Sequence, residues 1–297
     1  MSKSIHIAIG STTSKPGDAL GNLEQIRSFA RQAGEDGADL LLTPELSASG
    51  YGIYPDVFAT AEVAGDGPVY RALATIARES GVVVFAGFVE AVNAGCCLSH
   101  YAVYPGGEFA VQRKQWIMSS EFPFISGAEL EWSTPLGTLP VGAVEPGQPQ
   151  EPQFNIITVS GVDCAVVICA DNGLVQLNEI LEKKGVQVLL CPTASGGRRS
   201  ERVTTDELRT LEGQEKYLAV LNTVFSPGRI PLECIRYRRA QAAVNLCGYD
   251  GRDYYHVGHG SITNAMGEVV GFFHGLPNLD RQRPMYAHAE IDLGEAL

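Results

Sequence analysis

The 297-residue chain contains no apolar run of the roughly 18 to 20 residues that a membrane-spanning helix needs. Its start, Met1–Ser4, leads into an alternating strand pattern and not into a secretory signal. Basic residues are also scarce, because 22 Lys and Arg stand against 34 Asp and Glu, a formal net charge of −12. Such a charge repels phosphate backbones and anionic lipid surfaces. We therefore expect a soluble, cytoplasmic protein with no membrane and no nucleic acid as partner.

The cysteines lack the number and the spacing of a disulfide framework or a redox motif. There are seven of them in a long chain without an export signal, which favours reduced thiols. The vicinal pair Cys96-Cys97 is not a CxxC motif, and neither GxGxxG nor the P-loop pattern occurs in full. Redox, dinucleotide-binding and P-loop functions therefore have no basis in the sequence.

Strand and helix patterns alternate in the N-terminal third. Strands are predicted at 5–9, 38–43 and 82–85, where apolar residues alternate or run continuously between Gly and Pro. Helices are predicted between them, from Leu20 to Ala33 and from Val69 to a stop at Gly81, because apolar residues recur there every three to four positions.

The remainder is richer in strand patterns. A hairpin is predicted at 101–113 and a long Pro- and Gly-rich excursion at 119–152. Because strand patterns resume after the excursion, we expect one domain over residues 1–297 and no linker. A helix is predicted at 174–184, and further strands at 154–159, 164–168, 185–192, 217–223, 240–246, 260–263, 269–273 and 285–291.

The segment Gly37–Pro44 resembles an internal repeat at Gly185–Pro192, 148 residues later, and a helix pattern precedes each copy. Two similar halves would each form a sheet covered by helices on one face. The predicted fold class is then α/β, a four-layer α-β-β-α sandwich of two mixed sheets packed face to face. The alternative is a coincidental match between two ordinary buried strands.

Cys169 is the first candidate for chemistry. It ends the apolar run 165–168 and precedes Ala-Asp-Asn-Gly, so a strand delivers its thiol to a turn at the start of a predicted helix. Free N–H groups and the helix dipole favour a thiolate there, and the same amides can stabilise an oxyanion. The alternative is a small buried hydrophobic residue.

Glu45 and Lys114 follow other predicted strands. Burial at the end of 38–43 would raise the pKa of Glu45 toward the range of a general base, although a capping role is equally compatible. Lys114 follows the hairpin and is, taken alone, typical of a solvated charge. Together with Cys169 the two residues supply a nucleophile, a base and an oxyanion stabiliser.

Three segments resemble the signature motifs of the nitrilase, or carbon–nitrogen hydrolase, superfamily, in the right order. They are Pro44–Tyr51, Arg113–Gln115 and Val167–Asp171. Later, Gly258–Glu268 resembles the family's strand-turn-strand segment, and Leu218–Asn222 resembles its strand after the second-half helix. The resemblance runs nearly from end to end.

The resemblance implies the α-β-β-α sandwich, commonly assembled as a homodimer or higher homo-oligomer, with Glu45 as base, Cys169 as nucleophile, and Lys114 and the backbone N–H of Ala170 at the oxyanion. Many members have a second glutamate after the lysine. Glu121 fits that place best. Ser-Gly replaces the expected Pro-Gly after it, however, whereas Glu145 adjoins a Pro-Gly pair.

The implied reaction is hydrolysis of a small amide or ω-amide to a carboxylate and ammonia or an amine, with no cofactor and no metal. Cys-Ala-Asp resembles the amidase side of the family, while nitrile and N-carbamoyl substrates remain alternatives. Candidates for substrate binding are Tyr51, Asn172 and Arg198. A catalytically inactive scaffold of the same fold is the non-enzyme alternative, since the sequence at 211–215 departs from the family pattern. A metal-hydrolase site at His256 and His259 would lack a third ligand.

Overall fold

A computed structural model shows fifteen strands and six α-helices in the part of the chain that it describes. The described residues are 3–129, 132–134, 137–139, 152–198, 203–224, 229–252, 254–275 and 283–294. The strands are β1 (Ser4–Ser11), β2 (Leu40–Leu42), β3 (Val83–Val92), β4 (Gly95–Val103), β5 (Phe109–Arg113), β6 (Trp132–Thr134), β7 (Gly137–Leu139), β8 (Ile157–Val159), β9 (Val162–Val166), β10 (Val188–Thr193), β11 (Gly196–Arg198), β12 (Ala240–Tyr249), β13 (Tyr254–Thr263), β14 (Val269–His274) and β15 (Met285–Asp292). The helices are α1 (Ala19–Glu35), α2 (Pro55–Phe58), α3 (Pro68–Ser80), α4 (Leu177–Lys183), α5 (Leu211–Val224) and α6 (Arg229–Tyr237).

Thirteen of the fifteen strands form two mixed sheets with matching topology, and β6 and β7 pair only with each other among the described strands. The first sheet has the order β15-β1-β2-β3-β4-β5, with β1, β2 and β3 parallel and the others antiparallel to their neighbours. In the second sheet, β8-β9-β10-β12-β13-β14 pair in the same order and the same directions, and β11 joins β13 as well. This correspondence agrees with the two similar halves that the repeat of segment 37–44 at 185–192 predicted.

The alternation of side chains along the strands produces the predicted four layers. On β1 and β2, Ile7, Ile9 and Leu42 face the second sheet, where residues such as Val188 and Leu190 meet them in one buried cluster. The opposite faces of the sheets pack on helices, with α1 and α3 covering the first sheet and α4, α5 and α6 the second. The structure therefore is the α-β-β-α sandwich.

One predicted strand is wrong. Residues 217–223 lie in α5, which begins at Leu211, and the strand that pairs with β10 is β12. Apart from Gly213, residues 211–216 are strong helix formers, and Leu218 is half exposed, as suits a helix on the outside of a sheet. The resemblance of 218–222 to the family's strand is therefore also wrong, because β12 takes that place.

The long excursion at 119–152 contains two 3₁₀ turns, Ser119–Glu121 and Gly127–Glu129, and the β6–β7 hairpin. Its other residues from 130 to 151 lie outside the described part of the chain. Among the described residues, no helix combines the length and apolar character needed to cross a bilayer.

Candidate active site

The candidate residues lie where three strands end. Glu45 follows β2, and Lys114 follows β5, which runs in the same direction because two antiparallel pairings separate it from β3. Cys169 follows β9 of the second sheet. By topology β9 corresponds to β1 and β10 to β2, so Glu45 and Cys169 do not occupy equivalent places in the two halves. They meet across the sandwich instead.

The Lys114 ammonium lies between two carboxylates. Its Nζ donates to Glu45 Oε1 at 2.7 Å and to Glu121 Oε1 at 2.5 Å. All three residues are at most 2% exposed. Removing such charges from water is expensive, and the mutual attraction of these ions at hydrogen-bond distance offsets that cost. The other oxygen of Glu45, Oε2, is buried without a hydrogen-bond partner among the described residues.

Glu121 is held by further donors on the opposite side. Its Oε1 also accepts from the Tyr51 hydroxyl at 3.1 Å, and its Oε2 accepts from the Met118 backbone N–H at 2.8 Å. The short 3₁₀ turn that ends at Glu121 thus aims its carboxylate at Lys114. Of the two candidates for the second glutamate, Glu121 contacts the lysine, and Glu145 lies outside the described residues.

Cys169 begins a five-residue 3₁₀ turn, Cys169–Gly173, and its own φ is +49°. A non-glycine residue with positive φ is uncommon and often marks a functional turn. The backbone N–H of Ala170 comes directly after it. The prediction that a helix begins here is only partly met, because the turn ends at 173 and α4 begins at Leu177.

Electrostatics set the resting protonation of the cluster. Burial raises the pKa of Glu45, in agreement with the expectation from sequence, although Lys114 acts to lower it. Burial alone would lower the pKa of Lys114, but the charges of Glu45, Cys169 and Glu121 outweigh it and hold that pKa well above its usual value. Lys114 is therefore a cation throughout the useful pH range.

The prediction of a thiolate at rest is wrong. Burial and the charge of Glu45 raise the pKa of the Cys169 thiol to about 12, and the opposing effect of Lys114 is too small to offset them. The sequence pattern suggested a helix N-terminus that would favour the anion, but a single 3₁₀ turn supplies little dipole. The thiol is neutral until a base removes its proton, and Glu45 is the base at hand.

Asp171 ties the cysteine turn to the lysine segment. Its buried carboxylate accepts from the backbone N–H of Gln115 at 3.1 Å and of Trp116 at 2.7 Å. Burial raises the pKa of Asp171 to about 7, although Lys114 and the two N–H groups act to lower it. Asp171 lies within one of the signature-like segments, but the sequence indicated no role for its side chain, because its hydrogen-bond partners lie 55 and 56 residues away.

Replacing Asp171 with asparagine is expected to lower kcat about 10- to 100-fold, since small misplacements of catalytic groups have costs of that order. The new NH₂ group would oppose one of the two N–H donors, so unfolding free energy should also fall by about 1.5–3 kcal/mol. Steady-state kinetics and urea unfolding measure the two effects. Asp163→Asn is the matched control, because Asp163 accepts from Thr158 Oγ1 on the exposed β8–β9 hairpin. Equal effects of both variants would contradict the assignment.

The three predicted substrate-binding residues lie at different depths. Tyr51 is half-buried, and its ring packs edge-on against His256 at 5.8 Å between centroids. Asn172 is half-buried within the cysteine turn, and Arg198 is exposed at the end of β11. Burial lowers the pKa of His256 to about 4, so its imidazole is neutral beside Tyr51. Within the described ranges no group of three or more His, Cys, Asp or Glu is arranged to hold a metal.

The fold is two mixed sheets packed between helices. The site holds a thiol, an ammonium and two carboxylates where three strands end. Together they define the class of protein as a sandwich of the nitrilase superfamily. A sequence profile described as Carbon-nitrogen hydrolase matches residues 6–275. The chain belongs to the carbon–nitrogen hydrolase family.

Solved structures with a similar fold include amidases. An amidase from Nesterenkonia sp. has a TM-score of 0.69 and 21% identity, over 98% of this chain and 91% of that one. A cysteine-to-alanine variant of the amidase from Nesterenkonia sp. AN1, in complex with butyramide, has a TM-score of 0.69 and 20% identity over 97% and 91%. Another variant of that amidase, with the acetamide moiety of fluoroacetamide covalently added at its active-site cysteine, has a TM-score of 0.69 and 20% identity over 97% and 90%. Such identities show a common fold.

Among curated proteins, a protein of Pseudomonas protegens described as "Hydrolase in pqqF 5'region" is 33% identical over 88 residues. That match spans 30% of this chain and 30% of the relative's length.

Proposed function

We propose that the protein hydrolyses the carbon–nitrogen bond of a small amide or ω-amide through a thioester on Cys169. The observation that carries the proposal is the placement of Lys114, held between Glu45 and Glu121 at 2.7 and 2.5 Å beside a cysteine on a strained turn. The similarity in fold to amidases, one of them with an adduct at its active-site cysteine, supports it.

The first half of the reaction forms the thioester. Glu45 takes the proton from Cys169 as Sγ attacks the carbonyl carbon, and the carbonyl π pair moves onto oxygen. Lys114 and the backbone N–H of Ala170 stabilise that oxyanion. The raised pKa of the thiol makes this transfer concerted with attack, because a free thiolate would be a costly intermediate.

The first half ends as the oxyanion pair returns to carbon and the C–N bond breaks. Protonated Glu45 gives its proton to the departing nitrogen, ammonia or an amine leaves, and the thioester remains. The second half releases the acid. Glu45 then takes a proton from water, whose oxygen attacks the thioester carbon. When the C–S bond breaks, the carboxylic acid leaves and the thiol of Cys169 recovers its proton from Glu45.

Glu121 acts on the charge of the site and does not need to move a proton. Its carboxylate, fixed by Tyr51 and the N–H of Met118, lies 2.5 Å from the Lys114 ammonium. This contact keeps Lys114 cationic and oriented while Glu45 gains and loses its proton. The lysine therefore remains a donor to the oxyanion through both halves of the reaction.

A panel of small aliphatic amides, ω-amides, ureido compounds and nitriles, assayed for ammonia release, tests the proposed function. We expect release from amides well above that from nitriles. Acid quenching during turnover of the best amide, followed by mass spectrometry, should find the acyl group on the peptide that contains Cys169.

Other results would redirect or refute the proposal. Turnover of ureido compounds or nitriles alone would favour one of those alternatives within the family. An acyl group on any other residue would remove Cys169 as the nucleophile. Absence of ammonia and of adduct from every compound would leave the inactive scaffold as the better description.

A further inference from the structure

A second hydroxyl group lies against the sulfur of Cys169. Ser195 Oγ is 3.8 Å from Cys169 Sγ, a hydrogen-bond contact for sulfur in which either atom can be the donor. Ser195 comes from the loop between β10 and β11, so it approaches the sulfur from a different element than Glu45 and Lys114 do. The reaction described above uses no group from this loop.

The position of Ser195 is fixed by Asn245, a fully buried residue on β12. Asn245 Oδ1 accepts from the Ser195 backbone N–H at 2.8 Å, and Asn245 Nδ2 donates to the Ser195 carbonyl at 2.9 Å. The same Oδ1 accepts from Thr193 Oγ1 at 3.0 Å. Because the asparagine side chain hydrogen-bonds both the backbone N–H and the carbonyl of Ser195, this residue has little freedom to move.

Close packing on the other side completes the restraint. Gly196, the next residue, pairs with His256 on β13, and a Cβ there would lie 2.0 Å from the Tyr255 carbonyl oxygen. The loop therefore approaches β13 as closely as a backbone can. Ser195 is held between this contact and Asn245, and its hydroxyl stays beside the sulfur.

The charges around Cys169 explain why such a hydroxyl matters. Two carboxylates, Glu45 and Glu121, oppose negative charge on the sulfur, whereas the Lys114 ammonium and the backbone N–H of Ala194 favour it. A neutral hydroxyl can donate a hydrogen bond to the sulfur as negative charge develops there. When the thiol is neutral, the same hydroxyl can accept a hydrogen bond from it or make only a weak contact. Hydrogen bonds strengthen markedly when one partner carries charge.

We propose that Ser195 is a further catalytic residue, whose hydroxyl donates a hydrogen bond to Cys169 Sγ as the sulfur becomes negative, and that Asn245 is its positioning residue. The role deepens, and rests on, the proposed thioester mechanism. No covalent bond of Ser195 changes. The thiol proton moves to Glu45, the S–C bond forms as the carbonyl π pair moves to oxygen, and the Ser195 proton stays on Oγ.

The test compares Ser195→Ala with the wild type in the rate at which methyl methanethiosulfonate modifies Cys169, measured against pH by peptide mass spectrometry. The reagent contains no amide, so the measurement does not depend on amide turnover. We expect Ser195→Ala to slow modification of Cys169 about 10- to 100-fold, the effect of one hydrogen bond to a charged group, and to move the pH midpoint upward. Ser195→Thr, which keeps the hydroxyl, should recover most of the rate.

Cys96 provides an internal reference in the same samples, because it is the other half-buried free cysteine of the described chain. Its rate should not change. A Cys169 rate within about twofold of wild type in Ser195→Ala, with an unchanged pH midpoint, would overturn the proposal. Equal slowing at Cys96 would do the same, since it would indicate a general change in the fold.

Amide turnover, where the panel finds a substrate, supplies a second readout. Ser195→Ala should lower kcat by a similar factor and change KM by less than about threefold. The reason is that the hydrogen bond from Ser195 to Cys169 Sγ strengthens only as the sulfur becomes negative in the transition state, and it makes no contact with the bound substrate. If no amide is turned over, the proposed function fails, while the modification rates still decide the role of Ser195.

A double-mutant cycle tests Asn245. Asn245→Ala should slow Cys169 modification in the wild type but add less than about twofold in the Ser195→Ala background, because it acts through the serine. Full additivity would remove Asn245 from the proposal. The Ser195 variants decide the main claim even if Asn245→Ala does not fold.

Discussion

Replacing Cys169 with alanine is expected to lower kcat at least about 10⁴-fold on any amide that the wild type turns over. Losing the nucleophile removes the thioester path entirely, and in other enzymes with covalent intermediates the loss of the nucleophile has effects of 10⁴-fold or more. The remaining groups, Lys114 and Glu45, still bind and polarise the amide. KM should therefore change far less than kcat, and ammonia release with purified variant and wild type measures both.

The fold should survive this replacement. Cys169 is a small side chain, and its sulfur contacts Ser195 Oγ at 3.8 Å, the Glu45 carboxylate and the backbone N–H of Ala194. Alanine tolerates the positive φ of 49° about as well as cysteine does. We expect the free energy of unfolding to change by less than about 1 kcal/mol.

Cys96→Ala is the matched control, because Cys96 is half-buried like Cys169 and comes from β4, where no role in the reaction is proposed. It should retain wild-type kcat. If Cys169→Ala kept more than about one tenth of the wild-type rate, another nucleophile would have to exist.

The sandwich could be predicted because its signals are local. Strands such as β2 and β10 are apolar runs between Gly and Pro, and helices α1 and α3 show the period of one buried face. Segment 217–223 shows the limit. A short apolar run in the sequence is compatible with a strand and with the buried side of a helix. The pairing of β12 with β10 shows that segment 217–223 is not the neighbouring strand.

The main candidates for chemistry could also be read from the sequence, because Glu45, Lys114 and Cys169 each follow a recognisable strand. Contacts between distant segments could not. Ser195 and Asn245 are 50 residues apart, and only the packing of β10 beside β12 brings them together. The choice between Glu121 and Glu145 likewise depends on which loop folds back over the lysine.

The protonation of the thiol was predicted wrongly for a physical reason. A strand followed by a turn indicates where a thiol lies, but its pKa depends on how completely water is excluded and on which charges surround it. Burial and the carboxylate of Glu45 dominate here, and both are properties of the assembled fold. The same burial makes Glu45 a stronger base, as the sequence predicted, and this offsets the raised pKa of the thiol in the reaction.

Replacing Lys114 with methionine is expected to lower kcat by at least about 10²- to 10³-fold, as for the loss of one oxyanion donor, and also to destabilise the fold. Methionine fills much of the same volume but leaves Glu45 and Glu121 buried without their shared cation. Breaking a buried ion pair in this way costs about 3–5 kcal/mol. Urea unfolding measures the cost.

The matched control is Lys183→Met, which removes an exposed lysine from its pair with Glu179 on α4. Exposed pairs of this kind contribute little to stability because water and salt screen the two charges, so this variant should unfold nearly as the wild type does. A loss in Lys114→Met no larger than in Lys183→Met would contradict a buried cluster that depends on its cation.

The stability deficit of Lys114→Met should depend on pH in a definite direction. Without the ammonium, two carboxylates face each other in a buried site, and Glu45, whose pKa burial already raises, is the group expected to take up a proton. A carboxyl whose pKa is higher in the folded than in the unfolded state contributes stability below its unfolded pKa, and that contribution is lost as the pH rises through the folded pKa. The deficit relative to wild type should therefore be smaller at about pH 5 than at about pH 8. A deficit that is equal at both pH values would show that lost packing, and not the uncompensated charge of the carboxylates, is what destabilises the variant.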